Sequence, residues 1–261
     1  MRYLKVCFIC FLSLLFASKV FAIDEEMLKE KIRRNFESLM SRSKVQEPSQ
    51  NISTRSPMGS KFYRAVSDGI VLIFTKDDKM GSGVVVSSSG LIITNWHVVE
   101  DNALVGAVFK KAGLRGTSSL KEEDIFFAKV LKVDVVRDLA LLQIISPPQP
   151  LTVLKLGLLS QVDIGQDVFA ISHPEGLLWS YTEGVISQIH SDYSLKSESG
   201  THRATYIQTQ AVISYGSSGG ALFDYSGQLI GILVATLGPG LNFAIAVNDV
   251  RGFILSALEK R

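Results

Sequence analysis

Two adjacent serines lie inside a glycine-rich loop of the sequence, in the stretch AVISYGSSGGALFD over residues 211–224. Glycine adopts backbone conformations that other residues avoid, so such a loop can turn backbone N–H groups toward one point. A serine hydroxyl becomes an effective nucleophile only beside a base, a group that orients the base, and N–H donors for the developing oxyanion. Gly216 can supply such a donor. Ser218, which two glycines follow, is therefore a better candidate nucleophile than the turn residue Ser217.

The base must be one of the four histidines of the chain. His97 ends the apolar, strand-like run GLIITNWHVVE, at an edge where a cleft could form, and taken alone it is either a base or a structural histidine. His173 lies in the turn-like stretch ISHPEG, for which we predict a structural or cleft-wall role. His190 and His202 flank a polar loop and are expected to be solvated surface histidines.

Two carboxylates in DVVRDLALLQI are candidates for the group that orients the base, namely Asp134 and Asp138. Asp138 directly precedes a strongly apolar run, so we place it at the mouth of a buried strand. Acids are rarely buried unless they are paired, and an ordinary surface position fits the same pattern. A carboxylate at that boundary is nevertheless well placed to accept an imidazole N–H.

The N-terminus, residues 1–22, has the features of a secretory signal peptide: a basic start, a short apolar run and small residues before a predicted cut after Ala22. The alternative is an uncleaved anchor, but the apolar run is short beside the roughly 20 residues that a bilayer core requires. Cleavage would remove Cys7 and Cys10, the two cysteines of the chain. This excludes a cysteine nucleophile, a zinc–cysteine site and a disulfide scaffold from the mature protein.

The charge of the mature chain is close to balanced. Cleavage removes three basic side chains and no acidic ones, so the formal net charge falls from +2 to −1. Such a balance gives no support for nucleic-acid binding. We therefore expect a periplasmic or secreted protein that has no stable membrane anchor after signal cleavage and no nucleic-acid partner.

Residues 23–60 are predicted to form a helical extension followed by a polar, proline-bearing linker. Apolar residues recur at helical spacing in its first half and make one narrow stripe. The members of the stripe are Leu28, Ile32, Phe36, Leu39 and Met40. The stripe fits a helix that lies on the domain surface, and it also fits an oligomer contact; the pattern leaves both open.

The remaining chain, residues 61–261, alternates short apolar runs with glycine, serine and asparagine breaks. The runs have the length of strands, are rich in Val, Ile and Phe, and end in turn residues. Helical spacing returns only near the C-terminus, where Asn248 is expected to cap a helix. The apolar face of that helix holds Val250, Phe253, Ile254 and Leu258. About a dozen short strands with one terminal helix predict an all-β sandwich or barrel.

Six segments, taken in order, resemble the trypsin-like serine proteases of the HtrA/Deg type. They are GSGVVVSSSGLIITNWHVVE, RDLALLQI, IGQDVFAISHPEGLLWSYTEGVISQI, AVISYGSSGGALFD, GQLIGI and LNFAIAVNDV. The order His, Asp, Ser is that of the chymotrypsin clan. The resemblance covers residue 61 to the C-terminus. It implies an all-β fold of two six-stranded antiparallel β-barrels, with the active site in the cleft between them.

The resemblance also implies roles for individual residues. It makes His97 the general base, Asp138 its orienting carboxylate and Ser218 the nucleophile, with the backbone N–H groups of Gly216 and Ser218 as oxyanion donors. No metal and no organic cofactor is expected. The implied substrates are polypeptides, and the implied reaction is acyl transfer through an acyl-enzyme.

Three departures from the family pattern stand out. Ser217 and His173 each occupy a position where the family usually has asparagine, and the role of His173 is left open. Peptide-binding PDZ domains commonly follow the protease domain, and none is expected after Arg261. Many relatives are trimers built on an aromatic N-terminal segment. Phe36 and the pair Phe62–Tyr63 could form a homotrimer contact, or they could be core residues.

The resemblance locates the primary substrate pocket as well. Trypsin-type enzymes carry an acid six positions before the nucleophile, where this chain has Val212. An apolar floor cannot compensate a buried Lys or Arg, so we predict cleavage after small or medium apolar residues. The predicted pocket consists of Val212, Ile213, Ser214, Leu233, Val234 and Ala235.

The sequence thus predicts a serine endopeptidase that acts on unfolded or flexible chains. A competing interpretation is a binding or chaperone-like module with a protease fold and little or partner-activated turnover. An intact set of catalytic residues does not separate the two, because an oxyanion loop can be misfolded until a partner binds.

Overall fold

The structure, a computed structural model, describes residues 25–41, 57–111 and 120–259. The predicted signal peptide and the polar part of the predicted linker lie outside the described residues. Within these ranges the chain forms two antiparallel barrels, four α-helices and four short 3-10 helices. Within the described ranges no helix combines the length and the apolar character needed to cross a bilayer.

The first barrel is closed by six antiparallel strands in the spatial order β1-β2-β3-β6-β5-β4. Its strands are β1 (Ile70–Phe74), β2 (Met80–Val85), β3 (Leu91–Thr94), β4 (Leu104–Phe109), β5 (Ile125–Asp134) and β6 (Leu139–Ile144). Closure pairs β1 with β4, for example Leu72 opposite Val108. A closed sheet has no free edge, which removes the hazard of strand-to-strand aggregation.

The second barrel repeats this design with the order β10-β11-β12-β9-β8-β7. Its strands are β7 (Asp167–Ser172), β8 (Ser180–Ser197), β9 (Gly200–Thr209), β10 (Ala221–Asp224), β11 (Leu229–Thr236) and β12 (Asn242–Ala246). Closure pairs β10 with β7, where Phe223 lies opposite Phe169. Two six-stranded antiparallel barrels confirm the predicted fold class.

Three apolar clusters explain why the strand sequences are continuously apolar and do not alternate between apolar and polar residues. One cluster takes residues from all six strands of the first barrel, and another does so in the second. The third and largest spans both barrels. Strand β1 shows the arrangement, because Val71 and Ile73 join the first-barrel cluster while Leu72 and Phe74 join the shared one. Both faces of the strand are therefore covered, and all five of its residues are buried.

The N-terminal helix α1 (residues 25–41) lies against the first barrel. Ile32 is fully buried and Phe36 is 2% exposed, and the Phe36 ring packs 5.3 Å from the ring of Phe74. The Asn35 side chain donates to the Thr75 carbonyl over 3.1 Å. The predicted apolar stripe is thus used within the chain, as expected for a helix on the domain surface.

A second helix, α2 (Pro57–Val66), precedes β1 in the chain and packs against the second barrel. It runs through residue 60, where the sequence placed the boundary between the linker and the protease domain. The Phe62 ring stacks on Phe169 at 5.5 Å, and the Tyr63 hydroxyl donates to the Trp179 carbonyl at 3.0 Å. These aromatic residues are therefore packed against their own chain.

Two further helices complete the fold. The one-turn helix α3 (Trp96–Val99) follows β3 and carries His97. Helix α4 (Val247–Leu258) closes the chain, with Val250 and Phe253 buried. The prediction that Asn248 caps this helix is wrong, because the helix begins at Val247 and its N-cap is Ala246, two residues before Asn248. The capping position follows from where strand β12 ends, and residue type alone did not reveal it.

Candidate active site

Helix α3 and the start of β6 bring His97 and Asp138 together, although they are 41 positions apart. His97 Nδ1 lies 2.6 Å from Asp138 Oδ2, and the backbone N–H of His97 donates to Asp138 Oδ1 over 2.9 Å. A carboxylate only accepts hydrogen bonds, so the neutral imidazole carries its proton on Nδ1. The lone pair of Nε2 is then available to accept a proton.

Asp138 is held from several sides. Its side chain is fully buried, while that of His97 is 19% exposed. Its carbonyl accepts hydrogen bonds from the Asn95 side chain at 2.9 Å and from the Trp96 N–H at 3.2 Å. Its φ of 59° is in the left-handed region, which Asp tolerates better than most residues. The surrounding bonds keep this backbone conformation in place and with it the direction of the carboxylate.

The serine loop, defined here as residues 214–220, is contributed by the second barrel and rests against the first. The Ser82 N–H on β2 donates to the Ser218 carbonyl over 2.7 Å. An added Cβ at Gly219 would lie 2.0 Å from the Ser82 carbonyl oxygen, so only glycine fits there. The loop is therefore anchored to a strand of the opposite barrel.

The Ser218 hydroxyl donates to the Val234 carbonyl over 3.3 Å. Among the described residues no hydrogen bond joins this hydroxyl to His97. Both side chains line one cleft, together with Gly216 and Val234. Hydrogen bonds between catalytic groups are commonly long or misaligned before substrate binds.

Two backbone N–H groups beside Ser218 have no acceptor among the described residues, those of Gly216 and of Ser218 itself. The neighbouring carbonyls are engaged: Tyr215 O accepts from Glu175 N at 2.7 Å, and Ser217 O accepts from Gly220 N at 2.9 Å. In a trans peptide the C=O and N–H point in opposite directions. Fixing these two carbonyls therefore directs both N–H groups to the other side of the loop.

The cleft has a volume of about 520 Å³ and is lined by residues of both barrels. The first barrel supplies Met80, His97 and Val98, and the second supplies the serine loop and the end of β11. At the rim Lys79 forms an ion pair with Glu100. The described residues contain no group of three or more His, Cys, Asp or Glu side chains placed to hold a metal ion.

Four of the six predicted pocket residues line this cleft, namely Ile213, Ser214, Val234 and Ala235. Val234 and Ala235 are adjacent in sequence, and both reach the cleft because the pairing register of β11 shifts between Leu233 and Ala235. A β-bulge of this kind redirects side chains near a site.

The other two predicted pocket residues lie elsewhere. Leu233 is fully buried in the second-barrel cluster, and Val212 is 66% exposed and does not line the cleft. Ile213 lines the cleft and is 7% exposed, whereas its neighbour Val212 faces away from the cleft. The spacing rule placed Val212 at the pocket floor without information on the direction of its side chain.

The remaining histidines occupy three different environments. His190 is half-buried, and its Nε2 lies 3.0 Å from Gln208 Oε1. The prediction of a solvated His202 is wrong, since it is 5% exposed and its Nδ1 lies 2.9 Å from the Val135 carbonyl oxygen. His173 is fully buried next to the serine loop. The sequence signal that could have revealed this was its position between an apolar strand and a Pro–Glu–Gly turn.

The arrangement of two barrels, an imidazole–carboxylate pair and a glycine-rich serine loop defines the class of trypsin-like proteases. The family of trypsin-like peptidase domains matches residues 81–232. The chain belongs to this family, and its relatives are of the HtrA/Deg type, which confirms the resemblance seen in the sequence.

Two curated relatives illustrate the match. Protease Do-like 1, chloroplastic, of Arabidopsis thaliana is 37% identical over 183 residues, which cover 67% of this chain and 38% of that protein. The probable periplasmic serine protease do/HhoA-like of Haemophilus influenzae is 34% identical over 186 residues, which cover 69% of this chain and 37% of that protein. The chain thus spans little more than a third of the length of these relatives.

Among solved structures, the crystal structure of Deg5 is similar to this chain with a TM-score of 0.63 and 28% sequence identity. The match covers 77% of this chain and 94% of that chain. The agreement extends over nearly the whole of the Deg5 chain, which supports the two-barrel architecture derived above.

Proposed function

We propose that this protein is a serine endopeptidase that hydrolyses peptide bonds in unfolded or flexible polypeptides through an acyl-enzyme. The observation that carries the proposal is the contact of 2.6 Å between His97 Nδ1 and Asp138 Oδ2, in a cleft that also holds Ser218. Membership in the trypsin-like family and the names of the relatives support the same chemistry.

In the proposed reaction Ser218 Oγ attacks the peptide carbonyl while His97 Nε2 takes the hydroxyl proton. Asp138 accepts the Nδ1–H bond and stabilises the imidazolium that forms. The C–N bond breaks as His97 returns the proton to the leaving amine, and water then releases the acyl group by the same path. The N–H groups of Gly216 and Ser218 donate to the oxyanion of each tetrahedral intermediate. Ser218 must first turn its hydroxyl from Val234 toward His97.

Specificity is proposed to follow from the apolar wall of the cleft. Ile213 is 7% exposed and Val234 is 5% exposed, so the cleft wall that they form is apolar and closely packed. Ala235 adds a small side chain from the bulge on β11. None of these three is acidic, and the two acidic residues that line the cleft are Glu100, which is paired with Lys79 at the rim, and the exposed Glu198, so neither is placed to pair with a buried Lys or Arg. We therefore propose cleavage after small or medium apolar residues such as Val, Ala or Leu.

The proposal keeps the domain division of the sequence: a signal peptide over residues 1–22, a helical extension and linker over 23–60, and a protease domain over 61–261. Cleavage after Ala22 would deliver the protein to the periplasm or the exterior, as the periplasmic relative suggests. The intact mass of the exported protein tests this directly. A first residue of Ile23 supports the division, and an unprocessed N-terminus contradicts it.

Digestion of unfolded casein by the full chain, with the products mapped by mass spectrometry, tests the activity. The wild type and Ser226→Ala, which alters an exposed turn serine, should digest casein equally, while Ser218→Ala should give no products above background. The cuts should follow Val, Ala or Leu. A preference for Lys or Arg would refute the pocket, and digestion by Ser218→Ala would refute the nucleophile.

One observation favours a second candidate, a protease-fold binding module with little or partner-activated turnover. The Ser218 hydroxyl is hydrogen-bonded to Val234 and not to His97. If that state persisted with substrate bound, the protein would bind unfolded chains without cutting them. Binding of casein by wild type and Ser218→Ala alike, with no product from either, would identify this alternative.

A further inference from the structure

We propose that His173 is a positioning residue for the proposed oxyanion donors, and that it acts through the Ser82 hydroxyl on the backbone of Gly216. This inference rests on the proposed peptidase function. It concerns the position where the family usually has asparagine. The residues 173–176, which form a tight turn after strand β7, are called the His173 turn below.

Gly216, which carries one of the two proposed oxyanion donors, is a residue of the serine loop that needs support from neighbouring segments. Its φ is +86°, and glycine has more backbone freedom than any other residue. An added Cβ would lie 2.5 Å from the His173 carbonyl oxygen, so the His173 turn packs directly on this position. The direction of the Gly216 N–H depends on how the two peptide groups that flank its Cα are held.

The first of these peptide groups is held by the His173 turn. The Glu175 N–H donates to the Tyr215 carbonyl over 2.7 Å. Because the N–H of the same peptide group points the opposite way, this bond directs the Gly216 N–H away from the turn. Glu175 has a φ of 51°, a left-handed conformation that the turn maintains to make this contact.

The second peptide group is held by Ser82, which is fully buried on strand β2. Its hydroxyl lies 3.0 Å from the Gly216 carbonyl oxygen, 2.9 Å from His173 Nδ1 and 3.1 Å from the His173 backbone nitrogen. A carbonyl can only accept, so the single hydroxyl proton is directed to Gly216. His173 must then donate from both its backbone N–H and its Nδ1.

This proton assignment leaves Nε2 of His173 unprotonated, so that it is an acceptor only. Nε2 is buried and has no hydrogen-bond partner among the described residues. An orphaned buried acceptor is less rare than an orphaned buried donor, which favours the same tautomer. Burial also lowers the pKa of His173 to about 3. The ring is therefore neutral where the proposed chemistry operates, and it is a fixed donor to Ser82.

The ring itself is held in place by Trp179. The two rings form an edge-on contact with centroids 5.1 Å apart, and the Trp179 indole N–H donates to the Ile70 carbonyl over 2.8 Å. The chain of contacts runs from the first barrel through Trp179, His173 and Ser82 to Gly216. Asparagine at position 173 could place an amide N–H near the position of Nδ1, which makes His173→Asn the conservative variant.

Kinetics on a peptide p-nitroanilide with Val before the cut test the positioning role. His173→Leu should lower kcat at least about tenfold and leave KM within about twofold, because the oxyanion forms only in the transition state. Ser82→Ala should behave alike. The double variant should be no worse than either single one, since both break the same chain of bonds. His173→Asn should restore kcat to within about threefold of wild type.

Ser67→Ala is the matched control, because Ser67 is also fully buried but bonds to Lys110 instead of the serine loop. Its kcat should equal that of wild type. Wild-type kcat in folded His173→Leu, or a change confined to KM, would overturn the proposal. If His173→Leu does not fold, wild-type kcat in Ser82→Ala overturns it instead. Failure of the wild type itself to cleave any substrate would refute the peptidase function.

A measurement that does not depend on activity separates these outcomes. Ring nitrogen NMR of Ser218→Ala protein should show His173 as a neutral tautomer protonated on Nδ1, unchanged between about pH 4.5 and pH 8. Adding Ser82→Ala should shift the Nδ1 resonance. A proton on Nε2, or titration near the ordinary histidine pKa of about 6.5, would overturn the inference even if the enzyme is active.

Discussion

The two halves of the candidate site are prepared to different degrees. In the first barrel the imidazole and the carboxylate are already joined, with Asp138 buried and bonded to both the ring and the backbone of His97. In the serine loop the two N–H donors are directed by bonded carbonyls, but the Ser218 hydroxyl is bonded to Val234. The proposed base and the proposed oxyanion donors are thus fixed, whereas the hydroxyl of the proposed nucleophile points away from the base.

This difference shows which parts of such a site need the fold to hold them. A carboxylate in the apolar boundary of β6 must be paired, so the fold fixes it with several bonds. Glycine backbones have no side chain to fix them, so neighbouring segments must do so. A serine hydroxyl changes direction by rotation about one bond, which takes little energy and little time. A bound substrate therefore needs to induce only the rotation of the Ser218 hydroxyl.

The largest expected effect on kcat comes from disrupting the contact between His97 and Asp138. Asp138→Asn should lower kcat about 10⁴-fold, because an amide in place of the carboxylate holds the imidazole in the wrong tautomer. Asp134→Asn is the matched control. Asp134 lies four positions earlier and its carboxylate accepts from Arg137, not from His97. Steady-state kinetics should show near-normal kcat for the control; similar losses in both variants would contradict the assignment.

A smaller loss of kcat is expected from disrupting the serine loop. Gly216→Ala should lower kcat at least about a hundredfold, since the added Cβ would meet the His173 carbonyl and displace the Gly216 N–H. Gly240→Ala separates this effect from backbone strain alone. Gly240 has a φ of +76° but no atom within 4 Å of its added Cβ. The control should lose about 1–2 kcal/mol of stability and keep its activity. Equal kcat losses in the two variants would show that backbone strain alone, and not displacement of the Gly216 N–H, lowers kcat.

The smallest predicted effect concerns pH and the buried His173. Its pKa is lowered in the folded protein to about 3 from 6.5, so the unfolded chain binds a proton that the folded one does not. The stability from the neutral ring is complete above pH 6.5 and is lost as the pH falls toward 3. Between pH 7 and pH 5 the wild type should lose about 2 kcal/mol more than His173→Asn.

Urea unfolding of both proteins at the two pH values, in the Ser218→Ala background to prevent self-digestion, measures this difference. Ser67→Ala should show the same pH dependence as the unaltered protein. If His173→Asn loses as much stability on acidification as the protein that keeps the histidine, then His173 is not held neutral by burial.

Sequence patterns predicted the fold because the short apolar runs that are bounded by turn residues form the strands of both barrels. They also selected His97 and Asp138, whose contact the fold then forms, because the order of the motifs is informative even across 41 positions. Other features depended on three-dimensional context. The bulge on β11 brings both Val234 and Ala235 to the cleft, and no local pattern marks such a shift.

Histidines were the least predictable residues. His202 follows a polar loop, which indicates exposure, yet the long β8–β9 hairpin carries it back to the carbonyl of Val135 in the first barrel. The role of His173 depends on Ser82, which is 91 positions away. Contacts between distant segments of the two barrels determine the environments of His202 and His173, and the local sequence does not predict those contacts.

Reaction with a fluorophosphonate probe, followed by mass-spectrometric mapping of the modified peptide, tests the central claim that Ser218 is activated by the pair of His97 and Asp138. We expect a single adduct on Ser218, absent from Ser218→Ala and much slower to form in Asp138→Asn. An adduct on Ser217, or equal labelling rates in the wild type and Asp138→Asn, would contradict it.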